Sequence, residues 1–383
     1  MAAPPPPSPE LMDELVGEIL LRLPPDEPEH LFRAALVCKP WLRILCDAAF
    51  LRRYRAFHGA PPLLGLLHRF MALQGDPEPR FASTTSMPDF PHPGSDGRDT
   101  RPLDCRHGRA LINMLDDESM GYLVVFDPIT GDKHGLPAPD IEWLIESAAV
   151  LCAADGCDHL DCHGGPFLVV FMATLEFEDN IVATVYSSEE GAWSVPVSFG
   201  NGCEAYVQHM RDGLAVRPYY TPYLQPRRGT VVGDAIYFTI RRGNAIVKYE
   251  WGKNCLSMIN PPSPNVYYIA LMAMEDSSLG FACIQGSSLY IWSRKVDSGA
   301  TEWVQGRVIE LGTIIPGQEL FVVGSAEGVG VIFISTDAGL FTIELKSGRV
   351  KKVDEPGVYF SVLPYMSYYT PDRGRLLSLA RAN

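Results

Sequence analysis

Asp13-Glu14-Leu15-Val16-Gly17-Glu18-Ile19-Leu20-Leu21-Arg22-Leu23-Pro24 decides how the N-terminal region folds. Counting from Leu11, apolar residues return every fourth place at Leu15, Ile19 and Leu23, with Leu20 beside Ile19. Asp13, Glu14, Glu18 and Arg22 fall elsewhere. That is one apolar stripe on a helix of about three turns. Pro24-Pro25 ends it, because proline disfavours helical backbone in the residue before it. Upstream, after the flexible tract Pro4 to Pro7, Ser8 can cap and Pro9 suits the first helical position. Downstream, Asp26 and Glu27 before Pro28 mark a second start, continued by Leu31, Phe32, Ala35 and Leu36. A third short helix carries Trp41, Leu42 and Leu45, and a fourth runs through Phe50, Tyr54 and Phe57. Four short helices make a marginal core. Their surplus apolar surface calls for a partner or for the following domain; the alternative is a helical cap that packs only on its own C-terminal domain.

These residues resemble the F-box. The stretch Asp13 to Pro24 is similar to its opening, and Arg33, Val37-Cys38-Lys39, Trp41, Arg43, Leu45 and Phe50 follow the second half in order and spacing. Ala34-Ala35-Leu36 departs from it, being small and apolar where many members carry Ser or Thr, and so does the spacing at Leu42. The resemblance covers about residues 9–57. It implies docking on the Skp linker subunit of SCF ubiquitin ligases, and through that on the cullin scaffold. The positions matching the pattern are Leu15, Ile19, Leu20, Leu23, Pro24, Val37, Cys38 and Trp41. Some of these must fill the module's own core, and spacing does not sort them. Trp41 is the costliest to truncate, since a buried aromatic anchor is worth about 2 kcal/mol or more.

From about residue 61 the periodicity changes to short β runs. A pattern of paired apolar strands with glycine turns returns at Leu64-Gly65-Leu66-Leu67, Leu123-Val124-Val125-Phe126, Ala183-Thr184-Val185-Tyr186, Ile246-Val247-Lys248-Tyr249, Leu289-Tyr290-Ile291-Trp292 and Leu340-Phe341-Thr342-Ile343. Loose periods of this size, with several strands per unit, predict propeller blades. Gly233-Asp234, Arg242-Gly243-Asn244, Gly286-Ser287 and Ala338-Gly339 sit between paired strand signals as hairpin turns. Six stations favour six blades; five and seven stay open, because 200–228 is poorly patterned and the first station is weak. A two-sheet sandwich is the rival, and it does not explain the repetition. The fold class expected is α+β multidomain, a small helical F-box followed by an all-β propeller-like domain: tail 1–8, helical module 9–60, propeller-like body 61–383. The body resembles the F-box-associated domain of grass F-box proteins at Val185 to Trp193, Val231 to Tyr237, Leu279 to Ala282, Trp303-Val304-Gln305 and Pro364 to Pro371. Those are strand and turn residues, so they speak of fold and not of a target.

Composition narrows the function. The chain has 383 residues, 34 Gly and 32 Pro, and a formal net charge of −14. Residues 1–60 are nearly neutral, so the body carries the acidity. It has no basic stripe, which argues against nucleic acid as a partner. The start has neither a basic region nor an apolar run, so no signal peptide is expected, and no run reaches the length of a membrane span. Nine cysteines in no even framework, with no Asn-x-Ser/Thr acceptor, fit reduced thiols in cytoplasm or nucleus.

Catalytic and metal signals are weak. Cys157-x-His159-x-x-Cys162-His163, with Cys152 upstream, offers zinc-type donors, but Cys162 and His163 are adjacent and diverge in extended chain. A polar loop ending at Gly164-Gly165 is the simpler reading, and no metal is expected. Gly324-Ser325-Ala326-Glu327-Gly328 misses the nucleophile-elbow spacing by one place. Cys38 or Cys46 would meet His30 or His58 only by tertiary accident, and Asp116, Asp117 and Glu118 read as a solvated turn. No phosphate-cradling glycine pattern occurs, and no cofactor is expected. The aromatic runs Tyr219, Tyr220, Tyr223, then Tyr267, Tyr268, then Tyr365, Tyr368, Tyr369 could anchor a protein target, or pack between blades. Arg227-Arg228 and Arg241-Arg242 could meet an acidic motif. Tyr219, Tyr220, Tyr223, Arg227 and Arg228 form the expected target-binding set. The expected function is a non-catalytic substrate adaptor of an SCF-type ligase. The alternatives are a propeller hydrolase or lyase with a helical cap, and a Skp-binding scaffold without ubiquitination targets.

Overall fold

The computed structural model describes residues 12–70, 81–86, 90, 100–116, 119–175, 180–199, 203–216, 223–240, 245–262, 268–297, 300–357 and 359–373. The helices are α1 (Asp13–Leu20), α2 (Glu29–Ala35), α3 (Lys39–Leu45) and α4 (Ala48–His58). Asp13 and Glu14 occupy the first turn of α1, where negative charge meets the positive helix end. The expected start at Ser8-Pro9 lies outside the described residues. Asp47 caps α4 by accepting from Ala49 N and Phe50 N, each at 2.9 Å. Val16 and Leu20 of α1 meet Leu31, Ala35, Leu45, Phe50 and Tyr54 in one core. Tyr54 is fully buried, and its hydroxyl donates to Leu23 O at 2.8 Å.

The remainder is a ring of six antiparallel sheets. Blade 1 joins Leu63–Phe70 and Phe81–Ser83 to the last strand, Tyr359–Met366, so the C-terminal end of the sheet region closes the circle. Blade 2 is Thr100–Arg106, Arg109–Asp116, Ser119–Phe126 and Lys133–Leu136. Blade 3 is Trp143–Cys152, Phe167–Leu175, Ile181–Ser187 and Ala192–Trp193, with Val197–Ser198 added. Blade 4 is Thr230–Val232, Ala235–Thr239, Ile246–Glu250 and Cys255–Ile259. Blade 5 is Ala270–Ala273, Leu279–Gln285, Ser288–Asp297 and Ala300–Glu310. Blade 6 is Phe321–Ala326, Val331–Thr336, Gly339–Glu344 and Val350–Asp354.

Six separate sheets settle the blade number and remove the sandwich rival. The repeating stations from Leu123 onward fall on the third strand of blades 2 to 6, and the weak first station falls on the strand that opens blade 1. Successive residues of a strand face opposite ways, which assigns them to different neighbours: Ala148 packs with blade 2 and Ala149 with blade 4. Each adjacent pair of blades shares an apolar layer of this kind, so both greasy faces of every sheet are covered. The turns at Gly233-Asp234 and Gly286-Ser287 join strands as expected, while the third turn is Asp337-Ala338, one residue earlier than expected, because Gly339 already pairs with Thr336; Arg242-Gly243-Asn244 lies outside the described residues. The body is not wholly β. Within 200–228 the structure forms helix α5 (Glu204–Val216). One face of it, with Tyr206 and Met210, lies beside Cys203 just before the helix on the core between blades 3 and 4, and Tyr206 stacks on Phe199 at 4.5 Å. Among the described residues, no helix is long and apolar enough to cross a membrane.

Candidate functional site

The helical domain sorts the eight positions that its pattern groups together. Leu20 is 1% exposed and belongs to the core, so it is not available to a partner. Leu23 and Trp41 are half-buried against that core. Leu15 (47%), Ile19 (54%) and Val37 (63%) are exposed, as are Pro24 and Cys38. Leu15 and Ile19 stand one turn apart on α1, beyond the stripe that Val16 and Leu20 turn inward. Leu36, at the end of α2, adds a further exposed apolar residue at 72%. An apolar surface on a domain whose own core is filled marks an interaction site.

Beneath this surface the helices are fixed to the propeller. Tyr368, 2% exposed, joins the helical core, with its ring 6.0 Å from that of Tyr54. Its hydroxyl lies 2.9 Å from Gly59 O, just past α4. Tyr369 packs on Phe32 at 4.8 Å. Leu160, from the loop between the first two strands of blade 3, also enters the helical core, and the adjacent Asp161 takes Arg55 of α4 at 2.8 Å and Arg373 at 2.9 Å. Tyr365 is fully buried between blades 1 and 2. Of the last aromatic run, then, all three members pack and none stands out as a free anchor.

Blades 2 to 6 start at the axis, and in blade 1 the last strand, Tyr359–Met366, takes the inner place, so the inner strands run the same way and have their starts on one face of the ring. The helices contact the other face, because Tyr368 and Leu160 follow the ends of inner strands. At the starts stand Tyr268 (45% exposed) and Phe321 (41%), with rings 5.8 Å apart. The guanidinium of Arg227 lies 5.9 Å from the rings of Tyr268 and Phe360. Among the described residues no carboxylate pairs with Arg227; it donates to the carbonyls of Ile269 and Val322 and lines a cavity of about 20 Å³. Burial pushes its pKa down to about 10. Tyr223 is half-buried, whereas Tyr219, Tyr220, Arg241 and Tyr267 lie outside the described residues.

Arg228 corrects the expectation that it stands ready for a target. It runs down the channel to Asp104 at 3.0 Å and Glu327 at 3.1 Å. Arg106 meets the same two carboxylates at 2.7 and 3.3 Å and donates to Gly229 O at 2.8 Å. Asp104 also accepts from Val150 N at 3.0 Å. Two cations and two anions thus tie blades 2, 3, 4 and 6 across the axis. Nearer the aromatic mouth, Glu146 takes Arg101 at 3.0 Å. Nothing local in the sequence announces these pairs. Burial pushes Glu327 up, but Arg106 and Arg228 outweigh it and hold its carboxyl below the ordinary 4.5. A carboxyl depressed on folding gives stability that is complete above about pH 4.5 and is lost as pH falls through the folded value. In thermal melts below pH 4.5, the wild type should therefore lose Tm more steeply per pH unit than Glu327→Gln.

The loop after Cys152 holds two further constellations. Asp127, His163 and Ser367 form a Ser–His–Asp chain: His163 Nδ1 meets Asp127, and Nε2 lies 2.9 Å from Ser367 Oγ. Its orientation matches a hydrolase triad, but the His163 side chain is 6% exposed and Ser367 5%, so a substrate has no open approach to either. The chain acts as a clasp between blade 2, the loop and the segment after blade 1. His163 is thereby turned away from the cysteines. In its place Cys152 joins Cys157, His159 and Cys162, and the four donor atoms lie within 4.8 Å of one another. The expectation of a bland loop rests on the side chains of Cys162 and His163 diverging, and they do; the donors that gather around Cys162 are Cys152, Cys157 and His159.

A model of the F-box domain family matches residues 9–53. No curated protein matches the chain. Among solved structures, the chain is similar to one from a nidogen/laminin complex at 13% identity, over 79% of this chain and 98% of that one, with a TM-score of 0.42. TolB from Acinetobacter baumannii gives 13% identity over 81% and 69%, with a TM-score of 0.42. A catalytically inactive virginiamycin B lyase from Staphylococcus aureus with quinupristin gives 12% over 77% and 85%, with a TM-score of 0.35. The blade assignment rests on the strand pairing, not on these distant likenesses. The chain carries an F-box domain at residues 9–53, followed by a six-bladed β-propeller.

Proposed function

We propose that the protein is a substrate adaptor of an SCF-type ubiquitin ligase, a non-catalytic subunit of cytoplasm or nucleus in the manner of the propeller-bearing F-box proteins of grasses. In this reading residues 1–8 are a tail, 9–60 the docking module and 61–383 the recruiting body. The Skp linker takes Leu15, Ile19, Pro24, Val37 and Cys38, with Leu23 and Trp41 at the edge of the contact and Leu20 supporting from inside. A target protein takes the opposite face, on Tyr268, Phe321 and Arg227. The chemistry of transfer belongs to other subunits; this chain raises the effective concentration of the target beside them. The observation that carries the reading is the exposed apolar pair Leu15 and Ile19, together with Val37, on an F-box domain whose inward face is already packed. The hydrolase reading is the weaker one, because Asp104 and Glu327 in the channel are each neutralised by arginine.

Co-purification with a Skp linker subunit tests it. Wild type should bind, and Leu15→Asp/Val37→Asp should bind at least about thirtyfold more weakly, a loss of about 2 kcal/mol. Both positions are exposed, so the variant keeps its fold, whereas changes at Leu23 or Trp41 would disturb the helical core. Equal binding by the two folded proteins, or none by the wild type, would sink the adaptor reading.

A further inference from the structure

The loop joining the first two strands of blade 3 runs from Ala153 to Pro166, 14 residues without regular structure. A loop of that length normally needs its own anchorage or a function. It contributes one side chain, Leu160, to an apolar core, yet it must hold Leu160 and Asp161 still against the helical domain. We propose that this loop binds one zinc ion through Cys152, Cys157, His159 and Cys162, and that the ion fixes the support on which the F-box domain rests.

The donor geometry fits zinc. Tetrahedral zinc with Zn–S near 2.3 Å and Zn–N near 2.0–2.1 Å requires neighbouring sulfurs roughly 3.8 Å apart and sulfur to nitrogen roughly 3.6 Å. Cys157 Sγ and Cys162 Sγ stand 3.6 Å apart, and Cys162 Sγ is 3.6 Å from His159 Nδ1. Three thiols and one imidazole with no open position make a structural set, not a catalytic one, and soft sulfur donors disfavour magnesium or calcium.

The surroundings are those of a metal knuckle. His159 N donates to Cys157 Sγ at 3.4 Å, a bond that stabilises a thiolate. His159 adopts a left-handed φ of 58°, a backbone conformation in which histidine is enriched over most other side chains. His107 stacks flat on His159 at 4.2 Å, and its Nδ1 accepts from Cys152 N at 3.2 Å. Arg109 donates to the carbonyls of Cys162 and Gly165, each at 2.5 Å, and closes the far end of the loop. Outside this cluster, Cys255 is exposed on blade 4 and takes no part.

Metal analysis of the full-length chain, purified under reducing conditions without added metal, should find about one zinc per chain. Cys157→Ser/Cys162→Ser should fall to near none, while Cys255→Ser keeps its zinc. Because the double variant could fail to fold, the wild type is also exchanged into cobalt(II). Intense visible bands with a thiolate charge-transfer band in the near ultraviolet are expected, the signature of tetrahedral sulfur-rich coordination. Hydrogen exchange should then speed several-fold on chelation across residues 153–166 and α4, leaving blade 5 unchanged. A folded, reduced wild type that carries no zinc and gives no such cobalt spectrum overturns the proposal, as does full zinc retention by the double variant.

Discussion

Asp104→Ala is expected to lower the stability of the propeller by about 3–5 kcal/mol, the cost of removing one partner from a buried ion pair. Asp104 is fully buried, and its carboxylate receives Arg106, Arg228 and the backbone N–H of Val150. Without it, two guanidiniums share Glu327 alone, which stands at the channel's end and is 21% exposed. The net charge at the axis then changes from balanced to positive. Val150 also loses an acceptor inside blade 3. Chemical denaturation of wild type and variant measures the loss. Asp104→Ala/Arg228→Met should recover part of it, because the second change removes one of the stranded charges. If the single variant unfolds at the wild-type midpoint, the four charges are not what ties the blades together.

Tyr368→Ala should be comparably severe, about 3–5 kcal/mol for a large aromatic lost from a packed site, but its effect should be local to the junction. The ring fills the space between Tyr54 and the blade 1 segment, and the hydroxyl reaches the carbonyl of Gly59. Tyr368→Phe keeps the packing and loses the hydrogen bond, for about 1 kcal/mol. The discriminating readout is hydrogen exchange. In Tyr368→Ala, amides of α4 should lose protection while those of blades 3 to 5 keep theirs. Uniform loss across the ring would mean that Tyr368 supports the propeller rather than the mounting of the helices. The mounting matters to the proposed function, since an adaptor holds a target at a fixed distance from the transferring subunit.

Some of this was legible in the chain itself. Residues one helical turn apart meet whatever surrounds them, so Leu15, Ile19 and the downstream spacing to Trp41 announced the helical domain, although the first helix ends at Leu20, ahead of Leu23 and the expected stop at Pro24-Pro25. The stations from Leu123 to Leu340 announced repeating strands for the same reason: alternation is a property of neighbours. Helix α5 escaped, because its apolar face is short and is defined by Phe199 and the blade 3–4 core on which it lies. Closure of the ring decided the rest. It brought Arg106 to Glu327, 221 residues away, and Tyr368 to Gly59, 309 residues away, and no local period encodes such pairs. Packing alone decided that Leu20 turns inward while Ile19 beside it faces out. The bend at His159 and the pull of Asp127 on His163 decided which donors converge. Sequence spacing states what is near along the chain; charge pairing, burial and donor convergence depend on what the fold makes near in space.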